Sequence, residues 1–202
     1  MLNGWIILGI IVWLYGLSVL KRGNLSGFYF WWGSIGLFII SAFIFRPYFV
    51  WLISYLLTNT LGIFAKMTHW FSVYPVSNFL QISDGKTSVQ LFVDYECSGV
   101  IEFLAYVSLV AFYPLYDRQA RIVAGVTGSI WIFLANVIRL LFIVVVVKTC
   151  GGSALFWAHS VFGRLLFYTL VIILYYNVFT RPQMINGLNQ RFLRRDDRAT
   201  NG

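Results

Sequence analysis

Charge is scarce in this chain of 202 residues: 11% of it is Asp, Glu, Lys or Arg, and only seven residues are acidic. A soluble domain carries about 25% charged residues, so a water-facing globule is excluded. Cysteine is scarcer still. Two thiols make at most one disulfide, which rules out a disulfide-scaffolded fold. There is no His-Glu-x-x-His and no paired-cysteine spacing, which argues against metal catalysis. No Gly-x-Ser-x-Gly occurs, which argues against serine proteolysis, and no cofactor is implied. An aromatic-rich basic patch and a soluble module are both lacking, so nucleic acid is not an expected partner. The N-terminus has neither the basic n-region nor the small-residue cleavage site of a signal peptide, and is expected to stay as a mature helix. No internal repeat is visible.

Apolar residues fill the space: 59% of the chain is hydrophobic, with a mean hydropathy of +0.77. Several runs approach the roughly 20 residues that cross a bilayer core. Eight Trp and twelve Tyr suit belts at the two interfaces. The expectation is an all-α polytopic membrane protein of about six transmembrane helices. The spans fall at 2–20, 28–45, 48–65, 98–113, 122–147 and 157–179. Arg46-Pro47 is expected to break the second from the third. The third, interrupted by Asn59 and Thr60, has an interfacial or re-entrant helix as its alternative. Before the fourth lies a polar segment, about 66–96, with a β-hairpin. Residues 79–83 and 88–95 alternate in polarity around an Asp84-Gly85-Lys86-Thr87 turn. Residues 1–181 then form one membrane domain and 182–202 a basic tail.

The net charge of +8 sits in loops and in that tail, so it reads as a topology signal and an attraction to anionic lipid. Six spans with the N-terminus inside place Arg46, Arg118, Arg121, Arg181, Arg191, Arg194, Arg195 and Arg198 inside. Lys21, Arg22, Lys66, Lys86 and Lys148 then fall outside. If the third run does not cross, the N-terminus moves outside and Lys21-Arg22 inside. The C-terminus is cytoplasmic in both arrangements.

Three of the seven acidic residues lie in one stretch of nine, Asp94-Tyr95-Glu96-Cys97-Ser98-Gly99-Val100-Ile101-Glu102, at the lip of the fourth span. Ionisable groups at membrane depth are costly and mark functional sites. Cys97 opens span four, Arg139 lies in the second half of span five, and His159 opens span six. In an up-down-up bundle these positions share one membrane face, the outer one if the tail is inside. Arg139 lies roughly 12 Å below the Val147 end of its helix, within reach of a snorkelling side chain. A thiol beside an imidazolium or guanidinium gains thiolate character. Imidazole can shuttle the proton and guanidinium can steady an oxyanion. Together they suffice for cysteine acyl transfer.

Glu96-Cys97-Ser98-Gly99, then Asn136-Val137-Ile138-Arg139, then His159 with Gly163 four residues on, resemble the exosortase/archaeosortase family of integral-membrane sorting enzymes. The likeness is concentrated between about 94 and 180. It implies that Cys97 is the nucleophile, with Arg139 and His159 completing the active site. It implies exported substrates bearing a C-terminal sorting signal: a short motif, a transmembrane stretch and a basic end. Cleavage would occur on the outer face of a prokaryotic plasma membrane, with transfer to a lipid or envelope acceptor.

Other readings stand beside this one. Cys97 is alternatively a structural thiol, or pairs with Cys150 on the same face. Arg139 is alternatively a helix–helix hydrogen-bonding residue, and a lone His159 a local one. Asn136, one turn from Arg139, suits a supporting role. Arg164 either pairs with Glu102 or helps to bind substrate. Glu96, Glu102 and Asp94 serve as partners for arginines, while Ser98, Gly99 and Gly163 complete the supporting set. His69 reads as structural. As a whole, the chain could also be a non-enzymatic transporter, an envelope-assembly scaffold, or a family member that binds sorting signals without cutting them.

Overall fold

Hydrocarbon offers no partner to a backbone N–H or C=O, so an apolar chain in a bilayer coils into helices that satisfy themselves. The computed structural model describes residues 4–83, 88–93 and 95–183, with side chains at 5, 45–47, 95 and 96 left aside. It is a polytopic helical membrane protein. Helix α1 (Gly4–Arg22) turns at Asn24, whose φ is 50°, into α2 (Ser26–Thr68). The expected break at Arg46-Pro47 does not occur, since α2 runs 43 residues without interruption. The apolar stretches Ser26–Ile44 and Tyr48–Thr68 are therefore two parts of one continuous helix. An interior proline removes one backbone hydrogen bond and costs ~3 kcal/mol. Opening the helix at membrane depth would strand several such groups, so propagation wins.

Helices α1 and α2 pack antiparallel through glycine notches. The Trp13 indole lies against Gly36 and that of Trp32 against Gly16. Each indole N–H donates to the other tryptophan's backbone carbonyl, at 3.1 Å in both directions. Close approach through small residues is how helices associate where no hydrophobic drive exists between them. Farther along, α2 packs antiparallel on α4 (Val100–Phe112). Phe30 meets Tyr113 at one end, and Phe49 meets Phe103 farther up.

The polar segment holds more than the expected hairpin. Strands β1 (Phe71–Tyr74), β2 (Phe79–Ser83) and β3 (Ser88–Phe92) form an antiparallel sheet in the order β1-β2-β3. The 84–87 turn lies outside the described residues. β1 carries the same alternation as its neighbours, with Phe71 buried and Ser72 and Tyr74 exposed. Leu80, Ile82, Leu91 and Val93 face the core.

Helix α5 (Arg118–Cys150) is the spine, 33 residues and thus about 50 Å long. Asp117 caps its N-terminus by accepting from the Ala120 N–H at 2.8 Å. Its far end leaves the bundle to support the sheet. Leu140, Ile143, Val144 and Val147 pack there with Leu57, Leu61 and the sheet's inner face, and Lys148 Nζ donates to the Ser83 carbonyl at 2.6 Å. At the opposite end, the Tyr113 and Tyr116 hydroxyls donate to the Phe179 and Val178 carbonyls, at 2.8 and 2.6 Å. Burial raises the Tyr116 phenol above its usual range, so it remains a donor.

The α4–α5 contact depends on Gly128. A Cβ there would come 2.1 Å from the ring of Tyr106, which is fully buried with its hydroxyl on the Ala124 carbonyl. Gly128→Ala is expected to cost about 1–3 kcal/mol by overpacking. Gly125→Ala, into open space, should be neutral. Thermal unfolding of the two purified variants in detergent would check the contrast.

Candidate active site

The helix expected at 98–113 runs from Val100 to Phe112, with a separate turn in front of it. A single turn, α3 (Tyr95–Ser98), precedes α4, and Gly99 between them is left-handed at φ 71°. An L-residue pays about 1–2 kcal/mol for that conformation, so glycine belongs there. A Cβ would also sit 3.3 Å from Asn136 Nδ2 and 3.5 Å from the Phe167 ring. The sharp turn points Cys97 into the bundle, where it is 3% exposed, with Ser98 buried beside it.

Helix α4 rises only about 20 Å over its 13 residues, less than the ~30 Å hydrocarbon core. The thiol consequently lies at the level of Asn136, which is 18 residues or roughly 27 Å along α5 from Arg118. The remaining part of α5 and the sheet rise above it as a roof.

The final helical leg brings His159. After a short 3-10 turn (Gly152–Ala154) and α6 (Leu155–Trp157), residues Ala158–Phe162 adopt a π-helical turn before α7 (Gly163–Tyr175). Such bulges recur at functional sites. Here the wider turn carries His159, and its Nε2 lies 2.8 Å from Cys97 Sγ. Gly163 makes the π turn feasible. Its N–H donates to the Ala158 carbonyl, and a Cβ would meet that oxygen at 2.6 Å and Ile143 at 3.2 Å.

Two side chains of α5 close the site from the other side. Asn136, 1% exposed, donates from Nδ2 to the Cys97 carbonyl at 2.7 Å. Arg139, one turn on and 2% exposed, lies over the Phe167 ring at 5.7 Å. Among the described residues its Nε and Nη2 have no hydrogen-bond partner, and neither does Asn136 Oδ1. Nε and Nη2 form one edge of the guanidinium fork, the geometry that receives two lone pairs of a single oxygen-bearing group.

The structure thus brings Cys97, Ser98, Gly99, Asn136, Arg139, His159 and Gly163 to one place. Glu102, on the first turn of α4, is half-buried and lies within electrostatic range of Tyr175. No ion pair joins it to Arg164 among the described residues. Arg164 is half-buried at the start of α7 and has interactions of its own. The Glu96 side chain and Asp94 lie outside the described residues. The Cys97–Cys150 pairing is not formed, since Cys150 is exposed and neither sulfur is in a disulfide. His69 is the left-handed C-cap of α2, donating its N–H to the Ala65 carbonyl. Phe167 was not foreseen. Its spacing of eight from His159 on an apolar helix is a signal too common to single it out.

Displacing the π turn should uncouple the thiol from the imidazole. Gly163→Ala is expected to slow iodoacetamide alkylation of Cys97 at neutral pH on the order of tenfold. That corresponds to a one-unit rise in thiol pKa and lost thiolate. Rates measured in a Cys150→Ser background should approach those of His159→Ala.

The family described as transmembrane exosortase matches residues 2–176. No curated protein and no solved structure matches the chain.

Proposed function

This chain belongs to the transmembrane exosortase family, and on that premise we propose that it is a membrane-embedded cysteine transpeptidase or protease. It recognises the C-terminal sorting helix of an exported protein and cuts beside it. The observation that carries this reading is the 2.8 Å contact between Cys97 Sγ and His159 Nε2. A thiol so placed passes its proton to a neutral imidazole and is left as thiolate beside imidazolium. The thiolate attacks the scissile carbonyl. The oxyanion that develops takes the unpartnered Nε and Nη2 donors of Arg139, in surroundings that contain little water. As the C–N bond breaks, the His159 imidazolium protonates the leaving amine, and the acyl group remains as a thioester on Cys97. An incoming amine or water then loses its proton to His159 and releases the product. An amine from a lipid or envelope acceptor gives transfer, and water gives hydrolysis.

The same reading sets the orientation. The Cys97 end faces outside, on the plasma membrane of a prokaryote, and the C-terminal tail is cytoplasmic. A single passage of α2 supports an N-terminus outside. Lys21, Arg22, Arg118, Arg121 and Arg181 then gather at the cytoplasmic end, in keeping with the positive-inside rule.

Cells co-expressing the enzyme with an exported reporter that bears a C-terminal sorting helix provide the test. Cys97→Ala is expected to abolish processing while leaving insertion intact. Arg139→Ala should lose about 10²–10³-fold, and Arg139→Lys should not restore it, because an ammonium lacks the two-pronged edge. Undiminished processing by Cys97→Ala would refute the enzyme reading and leave a transporter or scaffold.

A further inference from the structure

We propose that Asn136 is a positioning residue that holds the Cys97 sulfur against His159, by way of the Cys97 backbone. The inference rests on the reading of Cys97 as the nucleophile, but it stands on a separate part of the geometry. Helix α3 is a single turn, too short to persist by its own hydrogen bonds. Gly99 ends it in a left-handed conformation, and the last carbonyls of a helix have no intrahelical partner. One of those carbonyls belongs to Cys97, and it is the one that Asn136 takes, at 2.7 Å between two buried groups.

The rest of the pocket is shaped around that bond. Gly99 contributes no side chain where Asn136 Nδ2 and the Phe167 ring come closest. Asn136 is fixed on α5, whose neighbours Ala135, Val137 and Leu140 are buried. Among the described residues its Oδ1 has no partner, and the bond to Cys97 sets which way the amide faces. The sulfur and the imidazole come from separate elements, α3 and the π turn. A contact of 2.8 Å between them is lost with a small rotation of α3. The carboxamide therefore acts on the sulfur through the main chain. It touches neither reacting group, and it sets the fraction of Cys97 that is thiolate.

Alkylation tests this without any substrate. Full-length protein carrying Cys150→Ser, in membranes, would be treated with iodoacetamide across pH 5 to 10, alone and with Asn136→Leu, Asn136→Ala or His159→Ala. Leu keeps the branching and heavy-atom count of Asn while removing the donor. The wild type is expected to show a midpoint below the ~8.5 of an ordinary thiol. Both Asn136 variants should move it up by about a unit, toward His159→Ala, while thermal unfolding shows the Leu variant still folded. A residue that only supports the fold would lower the unfolding temperature and leave the midpoint where it was. That outcome, or a midpoint unchanged in both variants, overturns the proposal. Because no cleavage is measured, failure here is separable from failure of the enzyme reading, which shows as processing by Cys97→Ala.

Discussion

Backbone hydrogen bonding without water is the constraint on which this architecture depends. An unbroken helix meets it unaided, and every interruption has to be met from elsewhere. Three interruptions among the described residues show how the chain meets that demand. Where Gly99 ends α3, Asn136 takes the Cys97 carbonyl. Where the π turn brings the Ala158 carbonyl under residue 163, glycine leaves room for it. Where a second π turn (Tyr176–Thr180) occurs at the far end, the Tyr113 and Tyr116 hydroxyls take the Phe179 and Val178 carbonyls. Two of the three interruptions surround Cys97. The departures from regular helix are thus concentrated where a side chain has to be aimed, and the spans between them stay plain.

Unequal helix lengths do the rest of the positioning. Helix α4 is too short to cross and α5 is longer than a crossing needs. Because α5 overshoots, its last turns need cover, and the sheet and the end of α2 provide it. Because α4 falls short, the turn in front of it is drawn down to meet Asn136. The very apolar end of α5, which suggests a membrane span throughout, is in part the core of a cap. The cap leaves the thiol buried, so Cys97 and His159 meet in surroundings where charge interactions are strong.

These features were unequally legible in the sequence. Composition and long apolar runs suffice for a polytopic membrane protein. Placing Cys97, Arg139 and His159 on one face follows from the alternating direction of three helices. What could not be read was anything set by packing across elements. Arg46-Pro47 looks like a stop, and only the cost of stranding backbone groups in lipid shows why α2 continues. β1 was missed because four residues between Trp70 and Pro75 are too short a run for alternation to stand out. The π turn has no sequence signature, although its glycine was already in the candidate set. Asn136 was placed near Arg139 by spacing, yet its hold on the Cys97 carbonyl depends on Gly99, 37 residues away in the α3–α4 turn.

Arg139 makes the last step possible. A guanidinium at 2% exposure whose Nε and Nη2 meet no partner among the described residues costs roughly 1–3 kcal/mol for each unmet donor. The Phe167 ring beneath it returns about 0.5–2 kcal/mol through its π face. That contact leaves the in-plane edge untouched. Leucine at 139 would pack the same space among Ala135, Leu140 and Phe167 with no such debt. A helix–helix hydrogen-bonding role would have consumed the donors that are left open, so that alternative fits the geometry poorly. An arginine held with its two-pronged edge unfilled among the described residues, one turn from the residue that grips the Cys97 carbonyl, suits the oxygen-binding role proposed for it.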